Sequence, residues 1–490
     1  MSLGAPGSAH GDPTRPLGPL SSRGRPALAE FDEPSEASAS LGVSVVTTEP
    51  GVPEDGSERN APAEALPPED PHGNARSEVP SIPAGRASWA RRVLPPAAAG
   101  AALVLFVCVV AAGPVVGDHE EFSALDGRSP VAFPEPSVGA VRDGSWMQGV
   151  EAWMDDHVAA RTQWLTLHGT LASRGLSVPV IENVLVDDPQ GMQLEKVKRL
   201  KVPRAMPDHA RRLGEDVRAA GVPILWVYVP RKEEVFADRL PSAWPDNLGA
   251  TRPKLISAME QGGPVLDLTP TLSAPDRRDG YYWRTDHHWT PAGALAGIDA
   301  VVERAASLGV DIPQDTRPYP TRSFPDFYGS TGRKVTAGAT RRPDHFAIPA
   351  PDQWRANSCV KAVCDTPTFV EEKAANPEKY ANRYAAFMGG DFGYQRILNN
   401  DPAARGTVLL IKDSFGDAFS TYFAERVRNL VTIDERHYGG KEIRDLVRTL
   451  QPDIVIVMHN QVSVLGNVSF DSQVWVDVAG AKRDRAQGDG

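Results

Sequence analysis

The sequence has no surplus of basic residues. Its 490 residues carry 52 Lys and Arg against 63 Asp and Glu, a formal charge of −11, so the cationic footprint that holds a phosphate backbone is missing and nucleic acid is not an expected partner. Cysteine is scarce, with only Cys108, Cys359 and Cys364. No H-E-x-x-H pattern or carboxylate-rich partner segment accompanies the histidines, so no metal site is expected. No internal repeat of 20 to 50 residues is visible. Apolar residues make up 41% and charged residues 23% of the chain, which excludes both a wholly disordered chain and a polytopic membrane protein.

Aromatics nearly vanish from residues 1–92, which hold only Phe31 and Trp89 beside 14 of the 44 prolines. Such a stretch cannot bury enough apolar surface to offset its ordering entropy, and it reads as a disordered tail. Residues 93–117 follow as 25 residues without a charge, long enough to cross about 30 Å of hydrocarbon as one helix. Arg86, Arg91 and Arg92 precede this run, and Asp118, Glu120 and Glu121 follow it. The positive-inside rule therefore predicts a single-pass membrane protein with a cytoplasmic tail and everything after residue 117 outside. A cleaved signal peptide would not carry its basic region some ninety residues into the chain. On the oxidising side, Cys359 and Cys364 in NSCVKAVCDTP predict a small disulfide, because zinc would need two more ligands at suitable spacing.

From residue 118 onward helix and strand patterns alternate. Residues 118–175 predict a helical linker, 176–470 an α/β domain and 471–490 a flexible tail. Ala210, Leu213 and Val217 share a helical face ahead of the apolar run PILWVYV, and Leu295, Ile298, Val302 and Ala305 are spaced as a second helix. Residues 310–383, rich in Pro, Arg and Gly, predict long loops or an insertion. Residues 408–460 alternate strand, helix, strand, helix, strand, which predicts a parallel sheet covered by helices, with the chemistry at the carboxyl ends of the strands.

Two motifs carry chemistry. In LLIKDSFGDAF, Ser414 stands where an apolar strand passes into a helix, a place for either an exposed nucleophile or an ordinary N-cap. In YYWRTDHHWTPAGA, Asp286 and His288 can supply an imidazole and the carboxylate that orients it, with His287 expected to point to the opposite side. Asp286 can also be a helix cap and the histidines surface residues. Trp289 can stack on a sugar or simply pack. Lys232 and Arg284 can contact an anionic or hydroxylated substrate or form solvated salt bridges, and Asp156 with Arg161 reads as a structural pair.

Taken together, RTDHHWT (284–290), YAAFMGGDFG (384–393), LLIKDSFGDAF (409–419) and IDERHY (433–438) resemble the DHHW proteins and the alginate O-acetyltransferases. Weaker matches are DDHVAAR, VPRKEEVF and FYGSTGRK, so that the resemblance spans roughly residues 145–465. It implies an SGNH hydrolase-like α/β domain with Ser414 as nucleophile, His288 as general base and Asp286 as its orienting carboxylate. The Ser414 N–H and a turn at Gly389 and Gly390 would hold the oxyanion, and Asp391 stands where many relatives have Asn. The implied activity is extracytoplasmic transfer of acetyl groups to hydroxyls of an exported or wall polysaccharide. No acetyl-coenzyme A site is evident and no bound cofactor is expected; a polytopic membrane O-acyltransferase would supply the acetyl group. An acetyl-esterase of the same fold and a non-catalytic polysaccharide-binding scaffold are the alternatives.

Overall fold

The computed structural model describes residues 121–467 apart from 199, 361–362 and 440–441. The stretches expected to form the cytoplasmic tail, the membrane span and the C-terminal tail lie outside the described residues. Among the described residues no helix is long and apolar enough to cross a membrane.

Eight strands form the central sheet: β1 (Ile224–Val229), β2 (Val265–Asp267), β3 (Ala356–Val360), β4 (Val363–Pro367), β5 (Tyr394–Asn399), β6 (Arg405–Lys412), β7 (Val427–Ile433) and β8 (Ile454–Asn460). Their spatial order is β2-β1-β8-β6-β7-β5-β3-β4. The first five run parallel. β1 and β8 are buried along their whole length, because helices cover both faces, and apart from His459 and Asn460 at the end of β8 their side chains are apolar or aromatic. Helices α3 (Met206–Ala219), α4 (Asn247–Glu260) and α8 (Ile443–Leu450) cover one face. The other is covered by α5 (Pro291–Ser307) and α7 (Phe415–Phe423). The predicted inward residues of α3, and Ile298, Val302 and Ala305 of α5, are buried, each large aliphatic among them contributing about 1.5–3 kcal/mol relative to exposure.

The strands expected from the sequence pair parallel, but the sheet extends beyond them and is mixed. β5 pairs antiparallel with β7, β3 with β5 and β4 with β3. β3 and β4 come from the region expected to be loops, which also contains α6 (Ser330–Ala339), interrupted at Thr336. Their sequences, ANSCV and VCDTP, are polar because these strands lie at the sheet's margin, and β4 has mostly exposed side chains. Burial periodicity was therefore absent from the residues. Cys359 and Cys364 face each other across this hairpin and are joined as a disulfide.

Residues 145–175 are helical as expected, in two pieces, α1 (Ser145–His157) and α2 (Arg161–Thr170), with a π turn over Leu171–Gly175. Asp156 and Arg161 do not pair with each other. Asp156 takes both Arg128 Nη atoms at 2.7 and 2.8 Å, and Arg161 forks onto Asp126 at 2.9 and 3.1 Å, because residues 126–128 return alongside the helices.

Candidate active site

Ser414 is separated from the end of β6 by Asp413 alone and stands at the N-cap of α7, at the carboxyl edge of the parallel strands. Its side chain makes no capping bond. The capping task falls to Asp413, whose Oδ1 accepts the Phe415 N–H at 2.9 Å while Oδ2 accepts the Asn460 backbone N–H at 2.8 Å and Nδ2 at 2.6 Å. The turn is thereby tied to the end of β8, and the serine hydroxyl is left to another partner.

That partner is His288, whose Nε2 lies 2.8 Å from Ser414 Oγ. Its Nδ1 lies 2.6 Å from Asp286 Oδ1, which also accepts the His288 backbone N–H at 2.9 Å. With Nδ1 donating to the carboxylate, Nε2 is free to accept the serine proton. Asp286 Oδ2 accepts the Ser330 N–H at 2.7 Å. Gly329 makes this approach possible: a Cβ there would stand 2.3 Å from the Asp286 Cβ. Burial alone would raise the Asp286 pKa, but the facing His288, its hydrogen bonds and His287 outweigh it and hold the carboxyl well below its ordinary value.

The DHH loop rests on buried polar supports. Asp344 accepts the backbone N–H groups of Arg284 and Thr285 at 2.8 Å each and the Thr285 hydroxyl at 2.6 Å. Lys232 is fully buried and donates to the Arg284 carbonyl at 3.1 Å. It is therefore a support of the loop and not the substrate contact considered from the sequence. Burial lowers its pKa to about 8. Trp289 is also fully buried and donates its indole N–H to the Phe415 carbonyl at 3.0 Å; no sugar can reach it. Arg284 does project partly into solvent, 3.9 Å from Asp344. His287 stands beside His288 instead of opposite it, with ring centroids 3.8 Å apart, and its Nδ1 lies 2.7 Å from the Ser330 hydroxyl.

The segment around Tyr384 closes the site. Tyr384 stacks on His288 and donates its hydroxyl to the Ser414 carbonyl at 3.2 Å. In the following turn the Gly390 N–H is already given to the Phe387 carbonyl at 3.2 Å, so it is not free for an oxyanion. Asp391 cannot donate as an amide would. Burial favours its neutral form, but Lys412 and Arg436 prevail and keep its pKa below the usual value. Burial, with Asp391 adding to it, pushes the pKa of the neighbouring Asp417 well up against the opposing pull of Lys412.

Among the described residues, two groups bring metal-binding atoms within 4.8 Å of one another: Asp286, His287 and His288, and Asp391, Asp434 and His437. In the first, both Asp286 oxygens and both His288 nitrogens already have partners. The second faces the cations Arg436 and Lys412. Neither donor set is open for an ion.

Residues 193–323 match the SGNH hydrolase-like domain of acetyltransferase AlgX, and residues 270–433 match the DHHW protein family. Together the two matches run from residue 193 to residue 433. A DHHW family protein from Eubacterium siraeum is 21% identical, aligned over 58% of this chain and 91% of its own, with a TM-score of 0.46. Bacillus cereus PatB1, solved with a sulfonyl adduct, is 16% identical over 58% and 96%, with a TM-score of 0.48. The O-acetyltransferase domain of Pseudomonas putida AlgJ is 13% identical over 59% and 94%, with a TM-score of 0.35. These likenesses add no argument about chemistry. No curated protein matches the sequence.

Asp413, Tyr384 and Ser330 had no role in the sequence reading, although each lies within a quoted motif. Asp344 and Asn460 had no signal at all, since an isolated polar residue shows its partner only after folding.

Proposed function

We propose that the protein is an O-acetyltransferase that carries acetyl groups, as an ester on Ser414, to hydroxyls of an exported or wall-associated polysaccharide. The observation that supports this most is the unbroken relay from Ser414 Oγ through His288 to Asp286, at 2.8 and 2.6 Å. Ser414 Oγ attacks the acetyl carbonyl while His288 Nε2 takes its proton. The tetrahedral intermediate then collapses, and the same proton leaves on the donor's oxygen. A sugar hydroxyl next attacks the seryl ester, passes its proton to His288, and the proton returns to Ser414 Oγ as the C–O bond breaks. With the Gly390 N–H given to Phe387, the Ser414 and Gly389 backbone N–H groups are the donors assigned to the oxyanion.

In this reading residues 1–92 lie in the cytoplasm, residues 93–117 span the membrane and the domain works outside. The acetyl group arrives from a polytopic membrane O-acyltransferase. The test compares polymer-bound acetate in wild-type and Ser414→Ala cells. Loss to background is expected; unchanged acetate would reject the enzyme and favour a scaffold. Hydrolysis of a small acetyl ester by the purified protein, with and without an oligosaccharide acceptor, separates transfer from esterase activity.

A further inference from the structure

Helix α2 is amphipathic in the unusual sense. Its small and hydroxylic side, with Gly169, Thr166 and Thr170, faces α6, so closely that a Cβ on Gly338 would stand 2.0 Å from the Thr166 carbonyl oxygen. Its large apolar residues Trp164 and Leu167, and Leu171 in the π turn that continues it, face outward at helical spacing and are 48%, 47% and 55% exposed. An ordinary surface helix does the reverse, placing the apolar stripe on the core and polar residues in water.

The pattern extends through the neighbouring segment. Met147 and Met154, two turns apart on α1, are exposed as well. Of the thirteen exposed large apolar side chains among the described residues, eleven fall between Phe122 and Leu176. Concentration of this kind marks a surface that something covers. The position in the chain says what covers it. The uncharged run ends at Gly117, and five residue steps, each at most about 3.6 Å, carry the chain to Phe122. The first of these exposed side chains therefore lies within about 18 Å of the point where the proposed anchor leaves the bilayer.

We propose that residues 122–176 form an interfacial collar whose apolar side chains, those of α2 foremost, lie in the outer surface of the lipid bilayer. The inference rests on the reading of residues 93–117 as an anchor. Amphipathic helices bind in this way by sinking one apolar face to the level between headgroups and acyl chains. The collar would hold the domain against the membrane in a set orientation, where a tether alone would leave it free to swing.

The test uses the full chain with Cys108→Ser, reconstituted in phosphatidylcholine vesicles. Spin labels are placed singly at Leu167→Cys and Leu171→Cys, and at Val363→Cys, an exposed apolar position outside the collar. Collisions with oxygen, which concentrates in lipid, are compared with collisions with a water-soluble nickel chelate. A ratio of oxygen to nickel at 167 and 171 at least about fivefold above that at 363 is expected for side chains immersed at the interface. A ratio equal to that at 363 places the face in water and overturns the proposal. Protection from both reagents overturns it too, in favour of a protein partner or a second copy. Extraction of the vesicles with alkaline carbonate reads the anchor independently. A released chain rejects the anchor, while labels that remain in lipid-bound protein before extraction still support the collar.

Discussion

Tyr384 lies flat on His288, with ring centroids 3.8 Å apart and planes within 4° of each other. The imidazole is thereby held by a face as well as by its two nitrogens. Truncation with Tyr384→Ala should remove about 3–5 kcal/mol of stability, as for other buried aromatics, and lower acetyl-ester turnover roughly a hundredfold through loss of ring placement. Tyr384→Phe keeps the stack and should retain most of the turnover. Equal losses in the two variants would show that the hydroxyl bond to Ser414, and not the stack, is what matters.

Asp286→Asn tests the carboxylate. The amide can still accept the Ser330 N–H but no longer stabilises an imidazolium or enforces the Nδ1–H tautomer. Turnover should fall by about four orders of magnitude, as where a triad aspartate becomes an amide, with little change in Tm. A loss below tenfold would remove Asp286 from the mechanism.

Lys232→Met removes the charged donor from the Arg284 carbonyl and leaves it only the Gln193 N–H at 2.9 Å. The expected cost is about 1–3 kcal/mol in urea unfolding, together with roughly a tenfold drop in kcat from loosening of the DHH loop. KM for the acetyl ester should stay constant. A rise in KM at constant kcat would return Lys232 to the role of substrate contact.

Glu234 supplies a pH signature of the fold. Its side chain is almost wholly buried, with both oxygens 2.8 Å from the Tyr228 hydroxyl, and burial pushes its pKa from 4.5 to about 7. Since the folded state holds this proton more tightly than the unfolded one, the stabilisation is full below about pH 4.5 and is lost as the pH rises through about 7. The change amounts to about 3 kcal/mol. Urea midpoints at pH 5 and pH 8 should differ in the wild type, and the difference should shrink in Glu234→Gln.

Much of the site was legible in the residues because its chemistry is local. Asp286 and His288 are two positions apart, so one short loop sets their bond, and Ser414 marks a strand-to-helix turn that an apolar run and an amphipathic helix announce. The parallel half of the sheet was legible for the same reason: strands buried on both faces read as nearly continuous apolar runs. The antiparallel half was not, because β3, β4 and β5 bury one face at most and their sequences resemble loops.

Residue type and spacing thus determined the local elements and which side chains can exchange protons. Folding decided what distance in sequence conceals: that residues 288 and 414, over a hundred positions apart, meet at 2.8 Å; that Trp289 and Lys232 point inward; and that α2 turns its apolar face outward. Direction is a property of packing, since one amphipathic helix can present either face to a neighbour, and only the surface of that neighbour settles which.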